Sequence, residues 1–368
     1  MNKARIIVGA NYGDEGKGSV TAHYSNVSRD VLNVLTNGGS QRGHTAVCGK
    51  GSHVFHHFGS GTYQGAASYY SRFFIINPMQ FTKEYRQLVV KPKVYRDRRC
   101  MWSTPYDMMA NAIEREMKGT HDTCGMGIWN TIKRYRKTPT VQFDVFVQLS
   151  PELQSDYLDS VRMYYERSMR IPDDWKGLWL SEGMKRHFLS DCFFMHQHTV
   201  SDATEKELAE RYPELVFENG QGLLLCDTGK DTADTTPSNT GSSYSIELLM
   251  NMGVLGPDAR PTGGSEVSIH YVTRPYLTRH GDGGMEDCID RAALSSGVGE
   301  DATNVHNQFQ GGLRYGRLDI GSLKERVELD ACGIPYEIEL THCDEMDRVS
   351  EFRQMFRTIN VYDKPDIE

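Results

Sequence analysis

Residues 11 to 19 read Asn11-Tyr12-Gly13-Asp14-Glu15-Gly16-Lys17-Gly18-Ser19. Two carboxylates and a lysine stand among three glycines, a combination that a plain strand-to-helix turn does not need. Glycines let backbone N–H groups approach phosphate oxygens, and a helix starting at the end of the loop adds partial positive charge. Lys17 offers a point charge to the outer phosphates of a nucleoside triphosphate. A Walker A loop, G-x-x-x-x-G-K-[ST], holds Mg²⁺ through its final hydroxyl. Here Asn11 occupies the first glycine position and Gly18 the hydroxyl position. The metal ligand must come from elsewhere, and Asp14 is the candidate. The G-x-G-x-x-G spacing of dinucleotide loops is also missing.

A second glycine segment, Thr36-Asn37-Gly38-Gly39-Ser40-Gln41-Arg42-Gly43-His44-Thr45, carries an amide, a guanidinium, an imidazole and hydroxyls. If both loops follow adjacent strands of a parallel sheet, they lie side by side in the crevice at the carboxyl ends. Asp14 and His44 then face one small ligand as a base and an acid. His56-His57 and His196-Gln197-His198 lack partners at ligand spacing and are read as ordinary polar histidines.

The elements that must position these loops are visible around them. Ile6–Ala10 and Val31–Leu35 are short apolar runs that read as buried strands, and residues 19–24 read as a helix between them. A helix is expected over 105–118, a helical insertion or subdomain over about 151–214, and strands at 215–217, 267–273 and 336–340. The expected fold is α/β, with a central, mostly parallel sheet, flanking helices and helical insertions. No repeat or clean linker divides the chain, so residues 1–368 are read as one unit.

Composition sets the outer limits. The chain has 368 residues, 38% of them hydrophobic, which suffices for a large core and is too apolar for a disordered chain. The formal charge of −8 argues against a nucleic-acid partner, and no stretch approaches the ~20 apolar residues of a membrane span. Eight cysteines lie scattered with no C-x-x-C pair, and Met1–Arg5 leads straight into a strand rather than a secretory signal. Free thiols in a reducing cytoplasm, the host's if the source is viral, are the expectation.

The two loops resemble those of the adenylosuccinate synthetase family, which typically reads Q-W-G-D-E-G-K-G-K and then G-G-H-N-A-G-H-T. Other segments follow the family in order from about residue 5 to 345. Thr123-Cys124-Gly125-Met126-Gly127-Ile128 resembles T-T-G-R-G-I, and Glu218-Asn219-Gly220-Gln221-Gly222 resembles E-G-A-Q-G. Thr236-Pro237-Ser238-Asn239-Thr240 resembles T-S-S-N-T, and Thr341-His342-Cys343-Asp344 resembles T-K-L-D. Arg314-Tyr315-Gly316-Arg317-Leu318-Asp319 resembles R-C-G-W-L-D, the end of the family's aspartate loop.

The resemblance implies a two-step ligase. A nucleoside triphosphate phosphorylates the purine 6-oxygen, and the amine of L-aspartate displaces that phosphate. It makes Asp14 the base at purine N1 and a Mg²⁺ ligand, with the Gly43 carbonyl as second metal ligand. His44 becomes the acid at the 6-oxygen, and Lys17 completes the catalytic set. It assigns the phosphate donor to Gly13, Glu15, Gly16, Lys17, Gly18, Gly43, His44, Thr45, Arg314 and Asp344. The purine nucleotide falls to Asp14, Ser40, Gln41, Thr123, Arg136, Gln221 and Thr236. L-aspartate falls to Gly311, Gly312, Leu313 and Arg314. In the family an arginine after T-x-G-x-G-I reaches the nucleotide of the neighbouring subunit. Arg136 or Arg134, within Lys133-Arg134-Tyr135-Arg136-Lys137, takes that part and implies a homodimer.

The departures from the pattern point to a narrower reading. Two upstream arginines of G-R-x-R-R-C-G-W fall on Gly311 and Leu313, one of which lies near the ribose 2′-hydroxyl in the family. The lysine of T-K-L-D is His342, and the guanine-reading C-terminal segment has no counterpart before Glu368, which weakens the case for GTP. Ser40, Gln41 and Arg42 replace His, Asn and Ala in the second loop. This pattern resembles the bacteriophage branch of the family, the 2-aminoadenylosuccinate synthetases, and most of all its cyanophage form. The implied partners are dGMP, L-aspartate and ATP or dATP, and the implied product serves 2-aminoadenine DNA. The alternatives are an ordinary synthetase using IMP and GTP, and a nucleotide-binding switch without synthesis.

Overall fold

The computed structural model describes residues 1–28, 30–48, 51–119, 124–226, 235–285, 287–299 and 312–363. Eight strands form one sheet: β1 (Lys3–Gly9), β2 (Val31–Leu35), β5 (Ala67–Tyr70), β6 (Val94–Arg96), β7 (Glu214–Gly222), β8 (Glu266–Thr273), β12 (Tyr336–Leu340) and β13 (Ile359–Val361). Their order is β13-β12-β8-β1-β7-β2-β5-β6, and every pairing between them is parallel. β3 (His44–Cys48) and β4 (Gly51–Phe55) make a hairpin. β9 (Tyr276–His280), β10 (Cys288–Ile289) and β11 (Leu313–Arg317) make a small antiparallel sheet.

The central strands are covered on both faces, which is why they read as mostly apolar runs rather than alternating ones. All five residues of β2 are buried, as are the six after Lys3 in β1. One core packs sheet residues such as Ile6, Phe217 and Ile269 with Leu248, Leu323 and Phe352. A second core carries Trp102, Phe143, Phe146, Trp179 and Phe188 beside Leu35 and Tyr70. It receives the helices Phe143–Gln148, Pro151–Ser168, Asp173–Trp179 and Glu182–Gln197, the last three of which fall within residues 151–214.

One topological expectation fails. β1 and β2 are not neighbours, because β7 lies between them and pairs with both. Glu218 therefore sits opposite Ile7 on one side and Leu35 on the other. The second loop is also shorter than it reads, since His44 and Thr45 already belong to β3.

Candidate active site

Three segments meet at the carboxyl end of the sheet: the loop after β1, the loop after β2, and the end of β7 between them. The first loop opens the helix Lys17–Ser25. Gly16 precedes it in the left-handed region at φ 99°, with no side-chain cap and no acid in the first turn. Among the described residues no side chain caps the first N–H groups of this helix, the arrangement that receives phosphate. Gly18 cannot carry a side chain, because a Cβ there would lie 2.4 Å from the Thr45 carbonyl oxygen. That close approach seats the helix directly on the start of β3.

Lys17 is buried; its Nζ donates to the Gly13 carbonyl at 2.5 Å and lies 3.5 Å from Glu15 Oε2. Glu15 turns inward, and its Oε1 accepts from Asn11 N–H at 3.1 Å and Gly13 N–H at 2.8 Å. Burial raises its pKa against the pull of Lys17. Glu15 therefore shapes the loop from within. Asp14 is half-buried. Its backbone carbonyl accepts from Arg274 Nε at 2.8 Å, and its carboxylate has no hydrogen-bond partner among the described residues.

The end of β7 lies against this loop: a Cβ on Gly13 would meet the Gln221 Cα at 2.9 Å. Gln221 holds φ at 61°, unusual for a residue with a side chain, and its Oε1 is buried without a partner. Local strain with an unsatisfied polar atom is the mark of a site held ready for a ligand. Asn37 ties the second loop to the same strand, donating to the Gly220 carbonyl at 3.2 Å and accepting from Gly220 N–H at 2.7 Å. It also donates to Ser238 Oγ at 3.1 Å, which brings in the segment holding the buried Thr236. In the second loop, Ser40 Oγ and Gln41 Nε2 are buried without partners.

His44 forms the most tightly held part of the site. Its Nδ1 lies 2.6 Å from Glu218 Oε1. Glu218 Oε2 accepts from the Ser60 N–H at 3.0 Å and pairs with Arg42 at 2.9 Å, while the Ser60 hydroxyl donates to Oε1. Burial works to raise the Glu218 pKa, but Arg42, His44 and Ser60 outweigh it and bring it down to about 2. Burial and the Arg42 cation lower His44 to about 4, against the upward pull of Glu218. His44 is thus a neutral imidazole that donates Nδ1–H to a carboxylate, which leaves Nε2 as the edge open to a ligand. An arriving phosphate or oxyanion favours its protonated form.

Gly43 is exposed, with nothing closer than 3.9 Å to where a Cβ would be, so its backbone is accessible. Thr45 is half-buried in β3. Arg314 lies on β11 directly opposite Arg279 of β9. It donates to the Gly283 carbonyl at 2.5 Å, and its Nε is buried without a partner. Arg279 lies over the Tyr12 ring at 4.9 Å, which links this small sheet to the first loop. Gly312 is exposed and Leu313 half-buried at the start of β11. Asp344 is exposed in the turn after β12, whereas His342 is buried at φ 56°. Thr123 and Gly311 lie outside the described residues.

The basic cluster divides into two roles. Arg134 is buried within its own chain, paired with Asp107 at 2.8 and 2.9 Å and donating to the Trp102 carbonyl at 3.0 Å. Arg136 is exposed, 5.5 Å over the Trp129 ring. Of the two candidates to reach another subunit, Arg134 is thereby removed. Sequence reasoning gave no site role to Glu218, Arg42, Ser60, Arg274 and Arg279, although it noted Arg42 as a departure from the family pattern. Glu218 and Arg42 sit inside quoted segments and could have been found there, but the other three join the site only through the fold.

A parallel sheet with uncapped helix N–H groups and a buried lysine at its carboxyl end defines an α/β protein of the phosphate-loop kind. The family profile described as adenylosuccinate synthetase matches residues 6–356. The adenylosuccinate synthetase of Syntrophotalea carbinolica is 30% identical over 355 residues, 88% of this chain and 74% of the relative. That of Geobacter sulfurreducens is 27% identical over 299 residues, 76% of this chain but 63% of the relative's own length. Among solved structures, fully ligated adenylosuccinate synthetase from Plasmodium falciparum superposes with TM-score 0.71 at 19% identity, over 94% of this chain and 78% of that one. The cyanophage S-2L succinoaminodeoxyadenylate synthetase (PurZ), bound to dGMP and dATP as an energy donor, gives 0.64 at 14% identity, over 99% and 91%. Both share the fold. The chain belongs to the adenylosuccinate synthetase family, whose members are carbon–nitrogen ligases.

No disulfide involves Cys100, Cys124, Cys192, Cys226, Cys288, Cys332 or Cys343. No described helix is long and apolar enough to cross a membrane.

Proposed function

We propose that this protein joins L-aspartate to the 6-position of dGMP through a 6-phosphoryl intermediate, using ATP or dATP. The product is N6-succino-2-amino-2′-deoxyadenylate, a precursor for 2-aminoadenine in viral DNA. The observation that carries the ligase reading is that the end of β7 touches both loops, with Gln221 against Gly13 of the loop that bears Asp14 and Lys17, and Glu218 holding His44 of the other.

Asp14, its carboxylate without a hydrogen-bond partner among the described residues, takes the purine N1 proton. That builds charge on the 6-oxygen, which attacks the γ-phosphorus. Lys17 leaves the Gly13 carbonyl for the transferring phosphate, and the first turn of its helix holds the same oxygens. His44 Nε2 stabilises the 6-oxygen as charge gathers there. The amine of aspartate then displaces the phosphate, with the substrate's carboxylates held by Arg314 and the backbone of Gly311, Gly312 and Leu313. Thr236 and Gln221 hold the purine nucleotide together with Thr123, and an exposed Arg136 reaches the nucleotide of a second copy in a homodimer. Hard oxygen donors from Asp14 and Gly43 suit Mg²⁺, which neutralises phosphate charge when bound.

The choice of dGMP rests on the purine edge. Guanine differs from hypoxanthine by its 2-amino donor, and among the described residues Ser40 Oγ and Gln221 Oε1 are buried acceptors without partners that suit such a donor. The absence of the first of the two upstream arginines, at Gly311, favours deoxyribose. Purified protein with aspartate and Mg²⁺ should turn over with dGMP plus ATP or dATP. Turnover with IMP and GTP alone would make it an ordinary synthetase, and nucleotide binding without aspartate-dependent turnover would make it a switch.

A further inference from the structure

Arg42 stands where the family pattern G-G-H-N-A-G-H-T has alanine. Burying a guanidinium there is costly unless its partners repay the lost hydration. Arg42 is 3% exposed, and its guanidinium partners belong to one cluster. NH2 lies 2.9 Å from Glu218 Oε2 and 3.3 Å from His44 Nδ1, and NH1 donates to the Glu218 carbonyl at 3.5 Å. The Arg42 carbonyl in turn accepts from His56 Nδ1, which anchors the residue from behind.

The carboxylate of Glu218 is held at both oxygens. Oε2 meets Arg42 and the Ser60 N–H, and Oε1 meets His44 and the Ser60 hydroxyl. Without the guanidinium, Oε2 keeps one amide and the carboxylate plane loses a constraint. We infer that Arg42 is a positioning residue: by holding Glu218 Oε2 it fixes the carboxylate that orients His44, and so sets the direction in which His44 Nε2 meets the purine 6-oxygen. It also offsets the Glu218 charge beside the place where negative charge gathers in the reaction. The inference rests on the role proposed for His44.

Four variants test it, Arg42→Ala, Arg42→Lys, His44→Ala and the Arg42→Ala/His44→Ala double, in whichever of the dGMP/ATP and IMP/GTP pairs turns over. Arg42→Ala should lower kcat by ~100-fold, the scale of a misplaced catalytic group, and move the purine-nucleotide KM by less than about threefold. Arg42→Lys should recover part of that loss. The double variant should be no slower than His44→Ala alone, because residues acting through one group are not additive. A multiplicative double variant, or a loss confined to KM, overturns the inference and leaves the His44 reading standing. Full kcat in His44→Ala overturns both. Should Arg42→Ala not fold, Arg42→Met keeps the stem volume, and wild-type kcat in that variant rejects the inference.

Discussion

Gln221 offers a test in which stability and binding move in opposite directions. Its φ of 61° puts a residue with a side chain in the left-handed region, and its Oε1 is buried without a partner. The left-handed backbone costs roughly 1–2 kcal/mol relative to a residue without a Cβ. Replacement by glycine removes that cost and returns about 0.5–1 kcal/mol through the greater freedom of the unfolded chain. The net expectation for Gln221→Gly is a gain of about 1 kcal/mol, which in a chain of this size raises Tm by roughly 1–2 °C. The same change deletes the amide proposed to read the purine edge. Loss of one such hydrogen bond costs about 1.5 kcal/mol, roughly tenfold in affinity for dGMP.

Gln221→Ala separates the two effects. Alanine keeps the strained backbone and loses the amide, so it should bind as weakly as the glycine variant without its gain in Tm. Thermal melts and a dGMP titration on the wild type and both variants read the result. A glycine variant that melts below the alanine variant refutes the strain argument. Unchanged dGMP affinity in both variants removes Gln221 from the purine site.

Two further outcomes are expected. Asp14→Asn should cut turnover by ~10²-fold or more while nucleotide binding stays within about threefold, since Arg274 holds this residue through its backbone carbonyl; full activity would remove Asp14 from the mechanism. His57 is fully buried and accepts the Asn77 N–H at 2.9 Å through Nε2, and burial, with Arg42 adding to it, lowers its pKa to about 3. The unfolded chain binds the proton near pH 6.5 and the folded chain does not, so this group's stabilisation is present above pH 6.5 and is lost as pH falls toward about 3. Urea midpoints measured from pH 7 to pH 4 should fall less steeply for His57→Gln, and an unchanged slope would assign the acid loss elsewhere.

Local features of this fold were open to reading, and long-range ones were not. The helix over Pro105–Lys118 is bounded by signals a few residues apart, a capping box of Thr104 with Asp107 and a left-handed Gly119 at its end. β2 coincides with its largely apolar run because a strand buried on both faces needs no solvent-facing positions, and its one polar residue, Asn33, is itself buried and bonded to Ser25 and Gly61. Arg134 misled because its neighbours in sequence are charged. Its place on the helix Ile128–Lys137 is nevertheless three and six residues past Thr131 and Ile128, on the buried face, while Arg136 points away from it. The position of β7 had no local signal at all. Leu215-Val216-Phe217 says that a buried strand exists and says nothing of its neighbours.

That position changes how the two loops relate. Had β1 and β2 been adjacent, Asp14 and His44 would have been set by two loops free to shift independently. With β7 between them, one strand supports both. Gln221 packs under Gly13 of the first loop, Gly220 is hydrogen-bonded to Asn37 of the second, and Glu218 holds His44. These three β7 residues lie within five positions of one another, and the strand is paired on both edges. The proposed base and acid are therefore registered to a single rigid element, and a shift of β7 displaces both together. Substitutions at the end of this strand should reach base and acid chemistry at once, whereas substitutions within either glycine loop should separate them.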